Sequence, residues 1–325
     1  MSTAFVTGAT GFLGLNLVEQ LTRQGWRVTA LHRRRSNVAR LAPFEPALAE
    51  GDILDRDSLE AAIPSNVDAV FHVAASTSVW SRRNERQTRA NVGGTRNVLA
   101  AALSRGARRF VHTSTWNTFG LEHAEISEDT PQTGGSSWIN YNRSKTMAER
   151  SVRRAVGEGL DAVIVNPAHI VGRYDTNGWA RMIRLAAAGK LPGVPPGSGS
   201  FCHAEQVALA EIAAAERGAT GENYLLGGTD ASFVELVGIV GELTGRAVPK
   251  KPVPAWLLHL TARLSAGAAL VTGREPAVTP EGVAMVTVHP RIVSDKAARV
   301  LGYRSVPLRH MLEDAVGWLK AEGLV

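Results

Sequence analysis

The sequence predicts a doubly wound α/β protein, a parallel sheet with helices on both faces, followed by a smaller and mostly helical part. Three observations predict it. Short β-rich runs alternate with helical runs through the first half, several of the β-rich runs are apolar throughout, and a glycine-rich turn joins the first strand to the first helix. An uninterrupted apolar run suits a strand buried on both faces, as strands are inside a parallel sheet. Alternation of strand and helix gives right-handed crossovers that cover such a sheet on both sides.

Candidate strands cover 4–7, 27–32, 69–73, 109–113 and 162–166. Ala69-Val70-Phe71 and Ala162-Val163-Ile164-Val165 are the clearest continuous apolar runs. Helical patterns between the strands cover 12–24, 58–62, 88–105 and 141–156. A loop follows at 191–200, which holds three Pro and three Gly. Beyond it, helical patterns cover 204–217, 232–244, 255–268, 279–286 and 307–322, and only short strands fit, at 223–226 and around Val248. No fixed-period repeat is present. The expected division is a dinucleotide-binding domain at 1–165 and a mainly substrate-binding cap at 166–325, joined at a soft boundary across which segments interleave.

Composition narrows the class. The chain has 325 residues, 44% hydrophobic and 20% charged, which excludes global disorder. Net charge is +6, but the 30 Arg are scattered and the 6 Lys form no stripe with aromatic residues, so no nucleic-acid partner is expected. Cys202 is the single cysteine, which rules out an intrachain disulfide and a thiolate-rich metal site and fits a cytoplasmic setting. The N-terminus enters an apolar strand without the basic n-region of a signal peptide. No HExxH motif or His/Asp cluster points to a metal. No run of 18 uncharged apolar residues exists, so no stable membrane insertion is expected. The nearest candidate, 255–272, contains His259 and Arg263 and reads as a packed amphipathic helix; a lid or membrane-touching patch is the alternative.

The turn Gly8-Ala9-Thr10-Gly11-Phe12-Leu13-Gly14 has GxxGxxG spacing and lies between the first strand and first helix of a Rossmann-type unit. Gly8 permits the tight turn, Gly11 lets backbone approach a pyrophosphate, and Gly14 lets the helix pack on the sheet. Free N–H groups at the helix start favour a phosphate there. Gly8, Thr10, Gly11, Phe12, Leu13 and Gly14 are therefore candidate cofactor contacts. The second strand ends in His32-Arg33-Arg34-Arg35, with no acid to bind a ribose 2′-hydroxyl. Guanidinium groups suit a 2′-phosphate, which a carboxylate would repel. The sequence thus favours NADP(H), with Arg33 the first ligand and Arg34 or Arg35 the second, and NAD(H) as the alternative.

Tyr141 and Lys145 stand four residues apart at the start of a helical pattern and share one face. An ordinary phenol titrates near 10, and a neighbouring ammonium together with a cationic nicotinamide would lower that value. The strand at 109–113 runs into Ser114 and Thr115, 26 residues before Tyr141 in the case of Thr115. A hydroxyl at a strand's carboxyl end can orient a substrate oxygen, but spacing does not separate Thr113, Ser114 and Thr115. No GxSxG elbow supports a nucleophilic serine.

Together these residues resemble the extended short-chain dehydrogenase/reductase family, or NAD-dependent epimerase/dehydratase superfamily, along nearly the whole chain. The matching segments are Thr7–Gly14, Gly51-Asp52-Ile53, His72-Val73-Ala74-Ala75, Asn91-Val92-Gly93-Gly94-Thr95, Tyr141–Lys145 and Asn166-Pro167. Tyr224-Leu225-Leu226-Gly227-Gly228 and Leu301-Gly302-Tyr303 are similar to a branch that holds dihydroflavonol-4-reductase-like and hopanoid-associated sugar epimerase-like proteins. The resemblance implies that Thr115 is the catalytic Ser/Thr and that Asp52 and Ile53 flank adenine. It implies that Val73, Ala74 and Ala75 line the cofactor path, that Asn91 supports it, and that Pro167 and Ile170 lie near the nicotinamide. It also implies a structural role for His203, and a homodimer through the helices at 88–105 and 141–156. Trp116 departs from the pattern, because the family more often has a small residue there.

The resulting expectation is an NADPH-dependent carbonyl reductase, or the reverse alcohol dehydrogenase, with Thr115, Tyr141 and Lys145 as its catalytic set. The enzyme alternative is a nucleotide-sugar epimerase or dehydratase with retained NAD(P); the non-enzyme alternative is an NADP-binding regulator. Candidate walls for a small-molecule substrate are Thr77, Ser78, Trp80, Trp116, Asn117, Trp179 and Met182, whose indoles suit an apolar or ring-bearing compound.

Overall fold

The computed structural model describes residues 1–325. In chain order its strands are β1 (Thr3–Thr7), β2 (Arg27–His32), β3 (Ala47–Glu50), β4 (Ala69–His72), β5 (Phe110–Thr113) and β6 (Glu125–Ile126). They continue as β7 (Ala162–Pro167), β8 (His169–Val171), β9 (Ser198–His203), β10 (Asn223–Leu226), β11 (Thr229–Ser232) and β12 (Arg291–Ile292). Seven of them form one parallel sheet in the order β10-β7-β5-β4-β1-β2-β3. Strand order reverses between β1 and β4, and ligands of such sheets sit outside the carboxyl ends of the strands at that point.

The period-two alternation of each strand feeds two cores. Val6, Phe71, Val111 and Val163 pack beneath Leu15, Leu17, Val18 and Leu21 of the Phe12–Arg23 helix and beneath Val207 and Ile212 of the Ala204–Arg217 helix. Phe5, Val70, Phe110 and Ile164 pack beneath Leu59, Val98, Leu99 and Val152 of the helices on the opposite face. A separate cluster holds the cap together through Ile183, Phe201, Phe233, Leu236, Met311 and Leu312. The cap sheet has the order β11-β9-β8, with β11 antiparallel to β9.

Several elements differ from the expectation. β3 (Ala47-Leu48-Ala49-Glu50) is a largely exposed edge strand without β-branched residues, so it carries no strand signature. The span 88–105 is not one helix: Asn84–Thr88 is α-helical, Arg89–Gly94 is a π turn, and Thr95–Ser104 is α-helical again. Helices also form at Trp179–Ala187 and Asp295–Leu301, and Val248 lies in no strand. Segments cross the soft boundary near 165. The Ala204–Arg217 helix returns to the main core, and β10 pairs with β7 at the sheet edge, because both carry apolar surface that the first 165 residues leave uncovered.

Candidate active site

Gly8 adopts φ +71°, and a Cβ there would stand 2.8 Å from the Ala74 backbone nitrogen. A Cβ on Gly14 would stand 2.1 Å from the Gly8 carbonyl oxygen. The first helix therefore starts against the β1 turn at a distance only glycine allows. Gly11 caps that helix without a side chain, and no acid occupies its first turn, so its first N–H groups have no side-chain cap and carry the partial positive charge of a helix start. Thr10 and Phe12 flank Gly11, half-buried. Thr7 Oγ1 accepts from the Ala74 amide at 3.2 Å and bonds His72 Nδ1 at 2.8 Å, which ties the glycine turn to the Val73-Ala74-Ala75 segment.

The β2 end opens into a turn closed by the Ser36 amide donating to the Arg33 carbonyl at 2.8 Å. Arg33, Arg34 and Arg35 are all exposed around it. Asp52, one strand over, accepts the Leu54 amide at 2.9 Å, and Ile53 abuts Gly94 of the π turn. An uncapped helix start against a glycine turn fits the pyrophosphate of a nicotinamide dinucleotide.

The Asn140–Gly157 helix carries Tyr141, Lys145 and Glu149 on one face. Burial raises the Tyr141 phenol above its ordinary value, and the neighbouring Thr115 hydroxyl works the other way. Lys145 donates from Nζ to the Thr113 carbonyl at 2.6 Å; burial lowers it to about 8 against the opposing pull of Glu149 and Glu211. Among the protein's own groups desolvation dominates at Tyr141, while Lys145 holds the Thr113 backbone with one of its three N–H donors.

The three hydroxyls that spacing left open are separated here. Thr113 Oγ1 donates to Glu211 Oε1 at 2.6 Å, Ser114 Oγ donates to Glu149, and Thr115 faces Tyr141. Glu149 is fully buried and also accepts from Asn166 Nδ2 at 2.6 Å, Gln132 Nε2 at 2.7 Å and Thr118 Oγ1 at 3.1 Å. Asn166 Nδ2 in turn reaches the Thr115 carbonyl at 3.0 Å, so this carboxylate network fixes the backbone that presents Thr115. Burial raises Glu211 to about 7, and its Oε2 has no partner. Sequence reasoning missed both acids. For Glu149 the signal was present, four residues past Lys145; for Glu211 there was none.

Asn91 lies in the π turn. Its Oδ1 accepts from the Ser76 amide at 2.7 Å, and its Nδ2 donates to the Ser76 carbonyl and to Ser144 Oγ, each at 3.0 Å. It thus clamps the loop after β4 to the catalytic helix. Pro167 is buried at the end of β7, and Ile170 is half-buried in β8.

Among the candidate walls, Thr77 is exposed and Ser78 and Trp80 are half-buried on the loop after β4. Trp179 stacks on Phe233 at 5.2 Å and meets His169 edge-on at 5.1 Å. Trp116 and Asn117 need correction, whereas Met182 is half-buried like Trp179. Trp116 is 1% exposed and packs with Phe119, Ile126, Leu225 and Ile292, because the short helical turn Trp116–Phe119 points it into the core. Asn117 is 3% exposed, and Met182 packs on the cap core. His169, unremarked in the sequence, lies between Trp116 and Trp179, lowered to about 4 by burial and hence neutral. His203 bonds Asp314 at 3.2 Å beside Arg173, which pairs with Glu19 and Glu205, so it links the cap to the first helix.

Residues 4–227 match the family model described as the NAD dependent epimerase/dehydratase family. The chain is 32% identical to sterol demethylase protein B of Methylococcus capsulatus, over 99% of this chain and 100% of that one. It is 32% identical to a 4-hydroxy-2-methyl-3-oxo-4-farnesyl-3,4-dihydroquinoline-1-oxide ketoreductase of Stigmatella aurantiaca, over 92% and 91% of the two chains. The crystal structure of gox2253 superposes over 100% of both chains with a TM-score of 0.86 and 34% identity. The glycine cradle, the Tyr141–Lys145 helix and these matches over the length of the chain lead to one conclusion: the protein belongs to the NAD-dependent epimerase/dehydratase family, within the extended short-chain dehydrogenases/reductases.

Proposed function

We propose that the protein is an NADPH-dependent carbonyl reductase acting on an apolar or ring-bearing small molecule. The observation that carries this reading is the placement of Tyr141, on the Asn140–Gly157 helix, beside the Thr115 hydroxyl that follows β5, with the phenol protonated. A protonated phenol suits a proton donor, which reduction requires, more than the base that oxidation requires. A bound nicotinamide dinucleotide supplies the hydride. Thr115 and Tyr141 hold the substrate's carbonyl oxygen, and Tyr141 passes its proton to that oxygen as negative charge develops there. Lys145, bonded to the Thr113 carbonyl, keeps a positive charge beside the site below about pH 8. Trp80 and Trp179 offer rigid apolar contact. The ketoreductase relative supports this reaction class.

Preference for NADPH rests on the exposed Arg33–Arg35 turn. The test is titration of purified protein with NADPH and NADH, after analysis for retained nucleotide, on the native chain and on Arg33→Ala. A charge-assisted bond is worth about 1.5–3 kcal/mol, so Arg33→Ala should weaken NADPH about 10- to 100-fold and leave NADH unchanged. Tyr141→Phe should abolish turnover and keep NADPH binding. Retained NAD or an NADH preference would overturn the reading in favour of a nucleotide-sugar epimerase or dehydratase.

A further inference from the structure

We propose that the Ala255–Thr272 helix is an interfacial anchor that docks this protein on an anionic phospholipid surface. The helix presents its apolar residues outward. Its inward strip is Leu258, Ala262, Ser265 and Ala269, of which only the two alanines are fully buried. On the opposite side, Trp256, Leu260, Leu264, Gly267 and Val271 recur at spacings of four, four, three and four and form one stripe. Trp256 is 67% exposed, Leu264 66% and Val271 90%. Leu257 and Leu270 widen the stripe on either side. A contiguous apolar helix face of this kind marks an interaction surface.

Charge identifies the occupant. From 243 to 274 the chain has Arg246, Lys250, Lys251, Arg263 and Arg274 and no Asp or Glu. Lys250 and Lys251 are exposed immediately before the helix, where the Val253 amide, donating to the Val194 carbonyl at 2.8 Å, pins the segment to the cap. An apolar stripe with a tryptophan and a net cationic flank, in which Glu275 is paired with Arg83, matches an acidic headgroup layer over acyl chains. No helix is long and apolar enough to cross a membrane, so the helix lies in the interface plane. A cavity of about 360 Å³ lies under it, lined by Trp80, Arg263, Leu270 and Glu281 among others. Arg82 donates to the Leu270 carbonyl at 3.1 Å and Arg83 pairs with Glu275 at 2.8 Å, so the loop bearing Trp80 is fastened to the anchor. Docking therefore brings the cavity and the loop after β4 close to the lipid.

The test is co-sedimentation of the full chain with phosphatidylglycerol/phosphatidylcholine vesicles, compared with phosphatidylcholine alone, in low and high salt. Each Lys or Arg near an anionic surface contributes about fivefold in partitioning, so Lys250→Gln with Lys251→Gln should weaken binding about 25-fold. Leu260→Glu with Leu264→Glu should abolish it while far-UV circular dichroism stays native, since both side chains face solvent. Absence of binding by the native chain, or equal binding to both vesicle types, overturns the proposal. So does a native dimer, seen by light scattering, that Leu264→Glu dissociates while the native chain ignores vesicles; the stripe would then belong to a second copy.

Discussion

Replacing Thr115 with valine removes one hydroxyl and keeps the volume. Its two neighbours supply the comparison, because the three hydroxyls have three different partners. Thr115 stands beside Tyr141, where negative charge on a substrate oxygen must be met. One oriented donor at that point is worth about 2.7–4 kcal/mol in the transition state, so Thr115→Val should lower kcat about 100- to 1,000-fold. Thr113→Val strips Glu211 Oε1 of its 2.6 Å bond in a carboxyl whose Oε2 is already unpartnered. That should cost about 1–3 kcal/mol of stability and leave kcat within severalfold. Ser114→Ala removes one of several donors to Glu149, which keeps Asn166, Gln132 and Thr118, so its cost should fall at about 1 kcal/mol. Steady-state reduction of a model aryl ketone with NADPH gives kcat, and urea denaturation gives stability for the same three variants. A Thr115→Val enzyme with kcat near native would refute the assignment, as would a Thr113→Val enzyme of native stability whose kcat falls as far.

Two further predictions concern the frame around the site. Burial raises Glu211 from 4.5 to about 7, so the folded protein holds this proton more tightly than the unfolded chain does. Its contribution is fully present below about pH 4.5 and is lost as pH rises through about 7, a change of about 3 kcal/mol. Glu211→Gln should flatten denaturation free energy across that window, and an unchanged slope would show that another group is responsible. Gly14→Ala puts a Cβ 2.1 Å from the Gly8 carbonyl oxygen, a contact that only separation of helix and turn can relieve. It should destabilise by about 1–3 kcal/mol and weaken NADPH. Gly238→Ala, a helical position with nothing within 4 Å, should leave the melting temperature unchanged or raised; native NADPH affinity in Gly14→Ala would exclude the glycine turn as the phosphate cradle.

Local pattern determined much of this protein from the sequence alone. The strand runs at β1, β2, β4, β5 and β7, the glycine turn and the helical periods between them other than 88–105 are each written in fewer than 20 consecutive residues, and each formed close to its expected bounds. Lys145 sits one helical turn past Tyr141, so their shared face was legible too. Tertiary structure decided what no short window contains. Glu211 reaches Thr113 across 98 residues, β10 pairs with β7 across more than 50, and Trp116 turns inward because Leu225 and Ile292 form its pocket. The sequence marked three adjacent hydroxyls as equivalent, and two buried carboxylates, Glu149 on the Tyr141 helix and Glu211 on the Ala204–Arg217 helix, left only Thr115 facing Tyr141. The same holds for the 255–272 helix. Its residues fixed its helicity, but which face turned outward depended on the small strip Ala262 and Ala269 fitting the cap, which left Trp256, Leu264 and Val271 in solvent. Period and propensity act between near neighbours, whereas burial and partner choice are settled only when distant segments compete for the same space.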